Sequence, residues 1–141
     1  MRMSATRLVG VLAAGGLMLG SVGCGAIDAV AGGKKKTACK NIETELRSFS
    51  SSAGSSSTGS AVMISKFSST ASKIRSEGAS AGGDVESAAT AFAGDLDSTA
   101  EMLRKLRSGD TSSMQRPDTE AMRRHGNDLA DACGFNAIRL G

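Results

Sequence analysis

"DVESAATAFAGDLDSTAEMLRKLRSG", residues 84–109, carries Val85, Ala89, Phe92, Leu96, Thr99, Leu103 and Leu106 at alternating steps of four and three. Kept for three heptads, that rhythm puts the apolar residues on one side of an α-helix. Asp84 stands at the expected N-cap, Lys105 and Arg107 fall in the last turn, and Gly109 follows as a stop. One long amphipathic helix must bury its stripe, so its partners decide the fold.

The flanking sequence supplies three of them. Residues 37–49 place Cys39, Ile42, Leu46 and Phe49 on one helical face, with Glu43 four residues before Arg47 as a supporting pair. Residues 60–77 repeat the pattern with Ile64, Phe67, Ala71 and Ile74. The Ser/Gly tract 50–60 has nothing to bury and predicts a loop, and "GASAGG", 78–83, predicts a break. Residues 116–135 open with Pro117 at a first-turn position and carry Met122, His125, Leu129 and Cys133 as their stripe. Gly134 followed by Phe135 fits a left-handed helix cap with its hydrophobic contact. No segment sustains strand alternation. The expectation is an all-α fold, an antiparallel up-down four-helix bundle, with three helices as the smaller alternative.

Composition is consistent with a single small domain. The chain has 141 residues, 40% of them hydrophobic but only 3% aromatic, with neither Trp nor Tyr and four Phe. Such a core is modest, and small domains of this kind often carry a covalent staple. Lys and Arg number 17 against 14 acids; without Arg2 and Arg7 of the leader the ratio is 15 to 14. A nearly neutral chain without aromatic or arginine stacking groups argues against a nucleic-acid partner.

The first residues are of another kind. Met1–Arg7 holds two arginines and no acid, and "LVGVLAAGGLML", 8–19, is an apolar run broken by Gly10, Gly15 and Gly16. That order suits a signal peptide, and the run is too short for a ~20-residue membrane span. "SVGC" at 21–24 then resembles the lipobox of bacterial lipoproteins, in which small residues precede a cysteine that becomes the acylated mature N-terminus. The resemblance covers the first 24 residues and departs from the usual motif at Ser21, where leucine is common. It implies a signal peptide over 1–23, a diacylglycerol on Cys24 and attachment to the outer face of the cell membrane. An ordinary cut near Ser21–Gly23 or after "AVA", 29–31, and plain secretion remain the alternative. The Ala/Gly/Arg-rich composition suits a high-GC Gram-positive host, so the resemblance is to an exported lipoprotein of actinobacterial type.

Cysteine arithmetic fits this reading. Three cysteines in an exported chain leave one over, and acylating or removing Cys24 leaves Cys39 and Cys133 as a pair. In an up-down-up-down bundle, the start of the first helix and the end of the fourth lie at the same end, so a Cys39–Cys133 disulfide agrees with the topology. The expected layout is signal peptide 1–23, lipidated cysteine and flexible tether 24–36, bundle 37–135 and a C-terminal tail 136–141. Lys34–Lys36 in the tether would be drawn to an anionic surface.

Residues with chemical potential are few. His125 is the only histidine; no CxxC, HExxH or CxxCH motif is present, and Glu120 precedes His125 by five residues rather than the three of a di-iron bundle. Met122 and His125, three apart on one face, are the weak metal candidates; Met63 or Met102 opposite His125 is the corresponding haem arrangement. Two ligands do not make a site, so no metal and no cofactor is expected. No GxSxG elbow accompanies the many serines, and no GK[ST] ending makes "GASAGG" a phosphate loop. Glu43/Glu45 and Asp95/Asp97 are two apart and point to different sides of their helices. Basic clusters at 102–109 and at Arg123–Arg124 suit a solvated face or an anionic envelope polymer. The expectation is a non-enzymatic binding or structural protein at the cell envelope, its partners the membrane through the lipid and an envelope protein or anionic polymer. The alternative is a ligand or metal carrier using the bundle interior near His125.

Overall fold

A computed structural model describes residues 25–53, 59–112 and 114–135. They form four helices and no strand: α1 (Gly25–Ala53), α2 (Ser60–Ala81), α3 (Gly83–Ser108) and α4 (Thr119–Cys133). These run up, down, up and down as the expected all-α four-helix bundle. The segment 1–23 expected as a signal peptide, Cys24, residues 54–58 of the Ser-rich tract and the tail 136–141 lie outside the described residues.

The helices pack in chain order. The α2–α3 pair is the most extensive, α1 lies mainly on α2, and α4 lies mainly on α3. Cross-helix polar pairs record the antiparallel register. Asn41 and Glu45 of α1 meet Glu77 and Lys73 of α2, at 3.1 Å and 3.0 Å, and Arg75 and Ser68 of α2 meet Asp97 and Arg104 of α3, at 2.9 Å and 2.6 Å. In both cases a step forward on one helix is a step back on its neighbour.

The sequence stripes become the core. Ile42 and Leu46 of α1, Ala71 and Ile74 of α2, Val85, Ala89, Phe92, Ala93 and Leu96 of α3, and Leu129 of α4 are buried together. The last part of the heptad run leaves the core: Leu103 is half-buried and Leu106 is 47% exposed, because α3 runs on past the level at which α4 begins. Phe49 and Phe67 close the same end edge to face, centroids 4.8 Å apart.

Glycine and small residues set the spacing of the central pair. A Cβ on Gly78 would sit 2.4 Å from the Cβ of Ala89, so α2 and α3 approach through a position that only glycine fits. The expected break over 78–83 is therefore narrower than its sequence suggests. Gly78 stays inside α2, and the chain turns at Gly82 (φ 72°, ψ −179°) and Gly83 (φ 56°), positive φ values that favour glycine. Because α3 starts at Gly83, Asp84 is a first-turn acid facing the helix dipole and not the N-cap.

Three further boundaries differ from the sequence reading; at one, α1 runs on to Ala53, so residues 50–53 of the tract expected as a loop are helical. At α4, Asp118 is the N-cap, its Oδ1 accepting from the Ala121 amide at 2.9 Å, and Pro117 stands before it. At α1, the segment 25–36 expected as a flexible tether has helical backbone. Once the buried stripe of 39–46 has nucleated α1, extending it costs little per residue, and Ala and Lys favour the extension against about 1 kcal/mol for each of Gly32 and Gly33. The C-terminal cap is as expected. Gly134 is left-handed (φ 69°), the amides of Gly134 and Phe135 donate to the carbonyls of Asp131 and Ala130, and Phe135 rests on the core.

Candidate functional site

The Cys39 and Cys133 sulfurs are joined at 2.04 Å, with Cα atoms 5.3 Å apart, so the bridge links the first core turn of α1 to the last turn of α4. It stands where the bundle needs it. α1 and α4 touch only lightly, so the bridge closes the one side of the ring that packing leaves thin. α4 contributes only Leu129 and Ala130 as buried residues, so it depends on such links more than the other helices do.

A second link joins α4 to α3. His125 Nδ1–H donates to Asp95 Oδ2 at 2.7 Å, with side chains 33% and 20% exposed. Helical spacing brings the two there. Asp95 lies beside Leu96 and His125 lies one turn before Leu129, so each flanks the buried residue of its own stripe. The sequence singled out His125 but not its partner; the available signal was an acid one place from a stripe residue on the neighbouring helix.

Near Asp95, α3 and the chain leading into α4 enclose a cleft of about 300 Å³. Met122 and Met102 give it apolar wall, Glu101 and Asp118 acidic wall, and Lys105 and Arg116 basic wall. Met122 also rests on the core, so it is a packing residue of α4 with one side on the cleft. Among the described residues no group of three or more His, Cys, Asp or Glu side chains is gathered around a point, so Met122 and His125 acquire no further ligand of that kind. Among the described residues no hydroxyl or thiol hydrogen-bonds to the imidazole, whose polar partner there is Asp95. What this arrangement does chemically is fix the ring and brace two helices.

The remaining candidates disperse. Glu43 pairs with Arg47 and Glu45 with Lys73, while Asp95 holds His125 and Asp97 holds Arg75, so neither carboxylate pair acts on one point. In the basic segment 102–109, Lys105 pairs with Glu101 at 3.4 Å and Arg104 donates to Ser68, whereas Arg107, Arg123 and Arg124 are exposed. Among the described residues no helix is long and apolar enough to cross a membrane. The chain matches no protein family, no curated protein and no solved structure.

Proposed function

We propose that the chain is a lipid-anchored, extracytoplasmic helical-bundle protein with a non-enzymatic binding or structural role at the cell envelope. The observation that carries this reading is the fate of the three cysteines. Cys39 and Cys133 pair with each other, and the one left over is Cys24, which ends a basic-then-apolar leader in the lipobox-like "SVGC". A bridge of this kind persists in oxidising compartments, which agrees with export. Two or three acyl chains hold a protein on a bilayer where a single one does so only marginally, so the anchor supplies the membrane attachment.

Fractionating cells that express the chain and its Cys24→Ala variant tests this. The wild type is expected in the membrane fraction, labelled by palmitate and released only by detergent. The variant is expected to be unlabelled and lost from that fraction. Equal distribution of the two sinks the anchor and leaves plain secretion.

A second reading rests on the cleft beside Asp95: a carrier for a small ligand or metal held near His125 and Met122. Native mass spectrometry separates the two. A stoichiometric bound species lost on His125→Ala favours the carrier, and a bare polypeptide mass favours the binding or structural role.

A further inference from the structure

Residues 32–37, which precede the core on α1, bury nothing within the bundle. Ala38 and Cys39 are the first buried residues of that helix, residues 32–37 are all exposed, and a Cβ on Gly32 or Gly33 would meet no atom within 4 Å. From Gly25 to Cys39 the helix rises about 21 Å at 1.5 Å per residue, beyond the disulfide end of the bundle. What this stretch carries is charge. Residues 25–42 hold four lysines against one acid, Asp28.

Elsewhere on the bundle Arg47 pairs with Glu43, Lys73 with Glu45 and Arg75 with Asp97, while Arg107, Arg123 and Arg124 are exposed without an ion pair among the described residues. The side chains of Lys34, Lys35, Lys36 and Lys40 are exposed and make no ion pair or hydrogen bond with any described residue. Their placement has a shape. At about 100° per residue, Lys34 to Lys36 cover roughly 200° of the helix circumference within a rise of ~3 Å. That is a collar, not a stripe. Charge spread over that much of the circumference meets a nearby anionic surface whichever side of the helix is turned to it.

We infer that the root of α1 is a basic collar that docks on an anionic lipid surface, with the disulfide end of the bundle turned toward the bilayer. The inference rests on the lipid-anchor reading and deepens it, since Cys24 immediately precedes this helix. Asp84, Glu86 and Asp131 are exposed at the same end, so an anionic surface repels them and the four lysines must outweigh that repulsion.

The test uses the protein isolated from membranes, wild type and with Lys34, Lys35, Lys36 and Lys40 all changed to Gln. Each is bound to vesicles of phosphatidylcholine and to vesicles that also contain phosphatidylglycerol. The wild type is expected to prefer the anionic vesicles by up to several hundredfold, about fivefold per lysine. That preference fades with added salt and is absent from the variant. Equal binding to both vesicles, or a preference that survives in the variant, overturns the collar. Binding to neutral vesicles reports the acyl chains alone, so its absence sinks the anchor and leaves the anionic preference to be read separately. Inorganic polyphosphate that binds the wild type as tightly as the anionic vesicles do assigns the lysines to a polymer and overturns the lipid assignment.

Discussion

Replacing both bridge cysteines, Cys39→Ala with Cys133→Ala, is expected to remove most of the stability of the bundle. The sequence separation of 94 residues makes the closed loop nearly as long as the domain. Chain-entropy arithmetic gives about 4–5 kcal/mol for a loop of that length, acting by constraining the unfolded chain. Truncating Cys39, which is only 6% exposed, adds a smaller packing loss of about 1 kcal/mol. Little offsets these, because α1 and α4 pack on α2 and α3 more than on each other. For a small domain, whose total stability is about 5–15 kcal/mol, this is a fall of roughly 20 °C or more in Tm. Urea titration followed by far-ultraviolet circular dichroism is the assay, since the chain has no Trp or Tyr to serve as a fluorescent probe. Stopped-flow mixing separates the cause: loss of an unfolded-state constraint slows folding and changes unfolding little. A stability loss below about 1 kcal/mol, or a loss expressed wholly in the unfolding rate, refutes the reasoning.

Two glycine substitutions are expected to have opposite signs. Gly78→Ala forces a methyl into Ala89 and costs about 1–3 kcal/mol, whereas Gly94→Ala, where a Cβ meets nothing within 4 Å, gains about 0.5–1 kcal/mol from helix propensity; urea midpoints read both. Asp118→Ala removes the α4 cap and is expected to cost about 1 kcal/mol, with amide hydrogen exchange rising first at Ala121. Asp95→Ala breaks the brace to His125 and is expected to cost about 1 kcal/mol; a double-mutant cycle with His125→Ala should show coupling, and additive losses contradict the brace.

The parts of the fold legible in the sequence were those in which a local pattern already implied its partner. The stripe of α3 reads as a helix because Phe92 and Leu96 must be covered, and the Gly134–Phe135 pair reads as a cap because αL geometry favours glycine. The bridge followed from topology: an even number of antiparallel helices returns Cys133 to the level of Cys39. What the sequence did not disclose depends on distances between helices. Gly78 looks like a breaker from its neighbours in "GASAGG" and becomes an interior helix residue only because Ala89 comes so close. Asp95 looks like half of a carboxylate pair with Asp97 and acquires its role from His125, 30 residues away. The α1 extension was hidden for another reason: Gly32 and Gly33 suggest a tether, but helix already nucleated by a buried stripe propagates through such a pair at modest cost.

The same contrast separates the two regions on which the proposals rest. The lipobox-like resemblance is legible because such a motif is defined by local order: charge, apolar length, small residues, cysteine. The lysine collar is legible only once 34–36 are known to be helical, since three adjacent lysines in an extended chain surround nothing.

The account is tested most directly by the intact mass of the protein taken from membranes, measured before and after reduction. The expected species begins at Cys24, carries the mass of a diacylglycerol with or without a further acyl chain, and gains the two hydrogens of one bridge on reduction. An unacylated mass that begins at Met1 or after Ala31, or one unchanged by reductant, contradicts it.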